Sequence, residues 1–363
     1  NHAHEALMAF TRLHLKKFRL FNDELFKFTE GVNLILGKNG SGKTSILESM
    51  EILFNGVSFR SRDTKDCIKE GFESFLISAK GTLKDKEYSL QVKKSQNSKI
   101  SASRKLSDKS VKKGELVFLQ LVLAKNLKMI EGEPELRREH LNQIMFHVEP
   151  ALKRLENKYQ KALKQRNRCL KKNLPESEIA LWTSEVADLG LELSLKQYHF
   201  FKIYRESFKN FINEVTDKGI FKFLKGMDIS FSKGWERSNK LKTSLLESLD
   251  RDRALGYTSK GPHRMDFTYT LNKKNAANQL SRGQSKILIL LSFLSNLTLL
   301  EHLKGSETLL LIDDLSSELD QENLAQILKE ILEIKSQIIL TGIEGTEMHA
   351  SIKNLSNFTQ INL

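Results

Sequence analysis

Eight residues constrain this chain more than any others: Gly37-Lys38-Asn39-Gly40-Ser41-Gly42-Lys43-Thr44. They fit G-x-x-x-x-G-K-[ST] at every fixed position. An apolar strand candidate at residues 31–36 precedes them. A helical spread of Ile46, Leu47, Met50, Ile52, Leu53 and Phe54 follows. Strand, glycine-rich turn and helix in that order point to an α/β fold with the turn at a strand's C-terminal end. The physics is direct. Glycines let backbone N–H groups curl around phosphate oxygens, and the helix N-terminus adds a positive dipole end. Lys43 is expected to reach the β- and γ-phosphates of ATP, and the Thr44 hydroxyl to ligate Mg²⁺. The nucleotide-binding set expected here is Gly37, Lys38, Asn39, Gly40, Ser41, Gly42, Lys43, Thr44 and Ser45.

A second constellation lies near the other end. Thr308-Leu309-Leu310-Leu311-Ile312 is an apolar strand that ends in Asp313 and Asp314. Such a strand delivers Asp313 to the metal, and Asp314 then occupies the place of a general base beside the attacking water. Alone, paired acids after a strand serve equally often as a solvated turn or a helix cap. A third piece, Leu280-Ser281-Arg282-Gly283-Gln284-Ser285-Lys286, stands before an apolar helix, where by itself a cap is the plainer reading. Ser317-Glu318-Leu319-Asp320 follows three residues past the acidic pair.

Taken together the three pieces resemble the ABC-type ATPases. The resemblance implies a head-to-tail dimer with two ATP molecules between subunits. Ser281, Gly283 and Gln284 of one subunit would close in trans on the nucleotide of the other, with Lys43, Asp313, Asp314 and Asp320 around the chemistry. Thr341, at the end of an apolar run from Ile338, falls at the switch position that is His in many relatives.

Thr44 and Leu280 are 236 residues apart, which separates this chain from transporter subunits, where the gap is much shorter. The gap reads as a compact helical hairpin rather than a long coiled coil. From Pro150, Leu152, Leu155, Tyr159, Ala162 and Leu163 share a face. Residues 173–177 form a turn with Ser177 as N-cap. A second helix marked by Trp182, Val186, Leu189 and Leu193 continues in pieces to about residue 217. Further stretches resemble the RecF family of DNA repair ATPases. They are Ser58-Phe59-Arg60-Ser61, the run from Asn126 through Gly132-Glu133-Pro134 to Arg137-Arg138, Gln165-Arg166-Asn167, and Gly261-Pro262-His263-Arg264-Met265-Asp266. The family's paired Asp is Met265 then Asp266 here, its His is Phe59, and its Pro-Glu is Ala124-Lys125. Arg137 and Arg138 are expected to brace the lobe, His263 to be structural, and the aromatics from Tyr198 to Phe211 to be core.

The expected organisation is an ABC-type P-loop ATPase head with an antiparallel β-region (residues 8–113), an inserted α-helical lobe (114–240), and the C-terminal part of the head (241–363). Met8 is read as the native start, and nothing in residues 1–7 looks like a signal peptide. Lys and Arg number 58 against 45 Asp and Glu, a net charge of +13 with pI ≈ 9.4. That balance favours polyanions. Two cysteines, Cys67 and Cys169, point to a reducing, cytoplasmic setting. The longest apolar stretch, 287–300, carries Ser292, Ser295, Asn296 and Thr298, and reads as a buried helix, not a membrane span. Basic residues crowd 153–172, nine against one acidic, and also the strand-rich run 84–113. Both are candidate faces for duplex DNA. The resemblance further implies an ATP-dependent homodimer acting at single-strand/double-strand junctions, with RecR as partner and RecA loading as outcome. Two other readings stay open: a transporter-type subunit, and a DNA scaffold that holds ATP without significant hydrolysis.

Overall fold

The computed structural model describes residues 8–114, 116–305, 308–315, 317, 319–334, 336–343 and 358–363. Glu318 and residues 1–7 lie outside them. Contacts group the chain into two compact units: residues 1–126 with 282–363, and residues 127–281.

The first unit is built on two sheets. Strands β1 (Met8–Phe18), β2 (Phe21–Lys27), β4 (Ser74–Leu83), β5 (Lys86–Ser95), β6 (Ser101–Leu106) and β7 (Lys109–Ser110) form an antiparallel sheet ordered β2-β1-β4-β5-β6-β7. Strands β3 (Val32–Gly37), β8 (Phe118–Val122), β12 (Thr308–Ile312), β13 (Gln337–Ile343) and β14 (Phe358–Asn362) form a wholly parallel sheet ordered β14-β3-β13-β12-β8. Every residue of β3 and β12 is buried, as a parallel sheet covered on both faces requires. Helix α1 (Lys43–Asn55) lies between the sheets. Its Ile46, Leu47, Met50 and Leu53 share one core with Leu13, Leu15, Ile77 and Leu90 on one side and Leu309, Leu311 and Ile339 on the other. The Gln337 amide bridges the sheets. It accepts from Phe10 N at 2.7 Å and donates to Phe10 O at 2.9 Å, so no backbone group is stranded there.

Helix α8 (Arg282–Lys304) packs against β8 and against α9 (Gln321–Glu333). Among the described residues it is the one helix long and apolar enough to cross a membrane. However, 78% of its most apolar window is buried inside the protein, the signature of a core helix.

The second unit is mainly helical. It holds α2 (Lys128–Glu131), α3 (Pro134–Val148), α4 (Pro150–Lys171), α5 (Glu176–Asp217), α6 (Leu241–Glu247) and α7 (Leu249–Leu255). A small antiparallel sheet of β9 (Met227–Ser232), β10 (Asp266–Leu271) and β11 (Lys274–Asn275) completes it. Two expectations fail here. The second helix of the hairpin is one continuous helix of 42 residues, not several pieces. Gly190, in its middle, is no break: a Cβ there would sit 2.6 Å from Leu241 and 3.0 Å from Tyr159, so the glycine admits close neighbours. Nor does Ser177 cap it. The N-cap is Pro175, whose fixed φ starts the helix earlier and without a side-chain bond.

The contact grouping also falls elsewhere than residues 114 and 240. Strand β9 pairs with β10 along its whole length, and Phe201 and Tyr204 of α5 stack on Phe231 and Phe267 of these strands. That joint core carries residues up to 281 into the helical unit. Phe200, Phe201, Tyr204 and Phe208 are buried as core, while Tyr198 stays 48% exposed.

Candidate nucleotide site

Strand β3 ends at Gly37 and α1 begins at Lys43, so the glycine-rich turn hangs at the C-terminal edge of the parallel sheet. The turn needs its glycines. Gly40 and Gly42 adopt φ of 83° and 105°, in the left-handed region. A Cβ on Gly42 would also stand 2.7 Å from the Phe21 ring. At Gly37 a Cβ would meet Ser41 Oγ at 2.4 Å. Lys43 folds its ammonium over the turn and donates to Gly37 O at 2.7 Å and Lys38 O at 2.8 Å. Ser41 Oγ is buried and has no hydrogen-bond partner.

The acidic strand arrives from the other end of the chain. Strand β12 pairs in parallel with β13, which pairs with β3, so Asp313 emerges at the same edge as the turn. Thr44 Oγ1 lies 3.0 Å and 3.2 Å from the two Asp313 carboxylate oxygens, across 269 residues of chain. Thr341, from β13, donates to Asp313 Oδ1 at 2.7 Å and accepts from Asp314 N at 2.8 Å. Asp314 itself has φ of 51°, a backbone conformation that Asp tolerates better than most residues. Its carboxylate is exposed and makes no hydrogen bond among the described residues. Lys286, four residues into α8, donates to Asp314 O at 2.8 Å and to Ser317 O and Oγ at 2.6 Å each.

The expected residues thus divide. Gly37 to Ser45, Asp313 and Asp314 come together on one edge. Ser281 is exposed just before α8, and Gly283 and Gln284 sit half-buried in its first turn. Asp320 is the N-cap of α9, its Oδ1 accepting from Asn323 N at 2.8 Å. The motif reading gave no part to two residues. Thr341 carried a switch position without a role, and Lys286 ended the quoted motif unassigned. Only the distances across the sheet reveal what each holds.

A further cluster lies behind α1. Glu48 is fully buried and receives Arg19 through two bonds of 2.6 Å and 2.9 Å. Burial works to raise its pKa, but Arg19, Ser58 and Arg60 together hold it below the usual carboxylate value. Arg60, from the 58–61 stretch, also donates to Ser45 Oγ at 3.2 Å. One turn away, Glu51 has an unpartnered buried Oε2, and burial pushes its pKa up to about 7.

In the helical unit the motif residues bond other residues of the same unit. Arg166 is fully buried and bonds Asp252 Oδ2 at 2.8 Å, Thr258 Oγ1 at 2.7 Å and Thr183 Oγ1 at 3.0 Å. Arg137 holds Asp266 through two 2.8 Å bonds, and Arg138 reaches Met265 O at 3.3 Å. His263 is pinned between the Tyr159 hydroxyl at 2.6 Å and Thr258 O at 3.1 Å, and burial pushes its pKa down to about 4. On α4, Arg154, Lys158, Lys161, Lys164, Arg168 and Lys171 are exposed while Arg166 is not. Of the 84–113 run, Lys94 and Lys113 turn back on the protein to bond Ser98 O and Asn55 O. That run is therefore no uniform basic surface.

A parallel sheet carrying a phosphate turn, an acidic strand beside it and an antiparallel sheet over α1 define the class: an α/β ABC-type ATPase head. The family model described as RecF/RecN/SMC N terminal domain matches residues 9–362. The DNA replication and repair protein RecF of Pseudoalteromonas translucida (strain TAC 125) is 31% identical over 98% of this chain and 97% of its own. That of Nitrosococcus oceani is 32% identical over 96% of each. The chain belongs to the RecF family. Among solved structures, the recombination mediator protein RecF-ATPrS in the RecFOR pathway matches with TM-score 0.78 over 94% of each chain at 24% identity. An SmcHead bound to the C-winged helix domain of ScpA matches with TM-score 0.51 over 94% of this chain and 91% of that one at 15% identity.

Proposed function

We propose that this chain is an ATP-dependent DNA-binding ATPase of recombinational DNA repair. It acts in the cytoplasm on the nucleoid, dimerises on ATP and clamps duplex DNA. The observation that carries the reading is the meeting of Thr44 and Asp313 at 3.0 Å beside a turn whose glycines are sterically required. Membership of a family whose relatives are named for DNA replication and repair supports the cellular role.

The residues suit the nucleotide and its metal. A hydroxyl and a carboxylate within bonding distance form a hard oxygen pair of the kind Mg²⁺ takes. The left-handed glycines curl the turn and the Ser41 hydroxyl is unpartnered, features that suit a turn built to cradle a phosphate. Thr44 and Asp313 would hold Mg²⁺, which when bound neutralises charge on the phosphates. Lys43 exchanges its two loop carbonyls for phosphate oxygens. Asp314, carboxylate free and backbone held by Thr341 and Lys286, orients the attacking water and takes its proton. Asp is one methylene shorter than the usual Glu, which favours slow turnover and a timer rather than a motor. Ser281, Gly283 and Gln284 close on the nucleotide of a second copy. The exposed cations of α4 contribute sequence-independent, salt-sensitive DNA affinity. RecR is the expected partner and RecA loading the expected outcome at single-strand/double-strand junctions.

The test is duplex affinity by fluorescence anisotropy at fixed salt, with and without ATP and Mg²⁺, for wild type and Lys43→Met. ATP should tighten wild-type binding at least tenfold, about 1.4 kcal/mol, and leave Lys43→Met unmoved. Affinity indifferent to ATP in both would falsify the clamp.

A further inference from the structure

The outer face of the antiparallel sheet breaks a rule of sheet construction. Its inner residues, Leu13, Leu15, Ile77, Ala79, Leu90 and Val92, face the core. Between them the outward residues stand in register across the strands. Lys27 pairs opposite Arg12, Arg12 opposite Lys80, Lys80 opposite Ser89, and Ser89 opposite Lys105. One row therefore carries four cations over five strands, three of them adjacent. All four are exposed. Like charges directly opposite one another destabilise a sheet. Among the described residues none of the four has an ion-pair partner. The acids on this face lie off the row: Glu87 stands on the adjacent row opposite Thr82, and Asp23, two rows away opposite Lys16, is held by His14 at 2.5 Å and Lys16 at 3.3 Å.

The next row is Leu25, His14, Ser78, Gln91 and Ser103, polar from β1 through β6. Together the two rows line an open groove of about 430 Å³. No Phe, Tyr or Trp stands on either row. A face that bound exposed bases would present rings for stacking. Apart from Leu25 and the His14 ring, which is tied to Asp23, this one offers cations, hydroxyls and an amide, groups that suit a phosphodiester backbone. Four strand spacings of about 4.8 Å make the row roughly 19 Å long, several times the axial rise of about 3.4 Å per nucleotide of a duplex strand, so it can meet a few phosphates at once.

We infer that this cation row is a track for the sugar–phosphate backbone of duplex DNA, running across the strands and reading no sequence. It rests on the DNA-binding function proposed above, and it places contacts on the ATPase head in addition to those on α4. Electrostatic repulsion along the row is the cost that bound phosphates relieve.

Replacing Lys27, Arg12, Lys80 and Lys105 together by Gln tests it. Binding of a random-sequence duplex is measured with ATP and Mg²⁺ over a salt series. Each lost phosphate contact should flatten the log–log salt slope by about 0.9, so the variant's slope should be shallower by about 3 to 4 and its affinity at near-physiological salt more than tenfold weaker. Nucleotide binding should be unchanged. The melting temperature should stay level or rise, because repulsion has been removed. Should the variant melt low, Lys27→Gln with Lys105→Gln, at the two ends of the row, should flatten the slope by about 2. If wild type itself does not bind the duplex, the proposed function fails first. If wild type binds and both variants keep its slope, only the track is overturned, and the face suits an acidic protein surface instead.

Discussion

The turn at Gly37–Thr44 and the network around Arg166 are both made of motif residues, yet they use them in opposite ways. At the turn, polar groups are under-used: the buried Ser41 Oγ has no partner, the exposed Asp314 keeps its carboxylate free, and Lys43 bonds only backbone carbonyls of its own loop. Around Arg166, guanidinium and carboxylate are fully buried, and the guanidinium makes four hydrogen bonds. Asp252 accepts from Arg166, Ser259 N and Ser259 Oγ, and Asn167 fixes the neighbouring Thr258. A motif residue with spare bonding capacity at a surface is equipped for ligand chemistry. One whose bonds are spent inside the fold is equipped to hold a loop. Here the held loop is the stretch from Thr258 to Asp266 that connects α7 to β10.

The largest effect that follows concerns the buried side. Removing one member of a buried pair leaves its partner charged and unsolvated, at a cost of about 3–5 kcal/mol. Arg166→Ala should therefore lower unfolding stability in urea by that amount. Replacing Arg166 by Met and Asp252 by Leu together should recover most of it, since a well-packed apolar pair of similar volume is often neutral. Lys43→Met should leave the same unfolding curve within about 0.5 kcal/mol. If Arg166→Ala proves as mild as Lys43→Met, the contrast between the regions collapses.

A finer contrast lies within α1. Glu48 and Glu51 are one turn apart, and both reach behind the helix. Glu48 has Arg19 and stays charged, whereas Glu51 has a bare oxygen and a pKa pushed up to about 7. The unfolded chain releases that proton near about 4.3. Between those values the folded state holds the extra proton, so stability falls as pH rises through the window and the cost is complete above 7. Glu51→Gln should thus stabilise the protein at pH 8, by roughly 1–2 kcal/mol after allowing for its partial solvent contact. At pH 5 the gain should be clearly smaller. Equal gains at both pH values would show that Glu51 titrates normally.

The sequence made some of this legible and hid the rest for physical reasons. Strands β3, β10 and β12 and helix α8 announce themselves through apolar runs bounded by turn residues, and the P-loop spacing is specific by itself. Strand β14, Phe-Thr-Gln-Ile-Asn, has no alternation to betray it; it exists because β3 offers an open edge. The continuity of α5 depends on whether Gly190 has a neighbour to admit, which only packing decides. The roles of Thr341 and Lys286 depend on hydrogen bonds to residues about 30 positions away, and no local pattern encodes those. The cation row is invisible in sequence, because its members come from four separate strands and meet only through register.

The smallest effect bears on Asp320, where the two ways of using a motif residue compete in one side chain. Motif reading sets it beside the chemistry, while its geometry is that of a helix cap: Oδ1 accepts from Asn323 N at 2.8 Å and Oδ2 from Asn323 Nδ2 at 2.6 Å. A cap is replaceable by another cap. Asp320→Ala should cost about 1 kcal/mol, whereas Asp320→Ser should cost only a few tenths. If capping is its whole task, Asp320→Ser also keeps the wild-type rate of ATP hydrolysis, because α9 still begins at the same residue. That is the expected result, since both carboxylate oxygens already have partners on their own helix. Hydrolysis lost in Asp320→Ser, with stability retained, would move Asp320 across to the under-used side and give its carboxylate a task at the nucleotide.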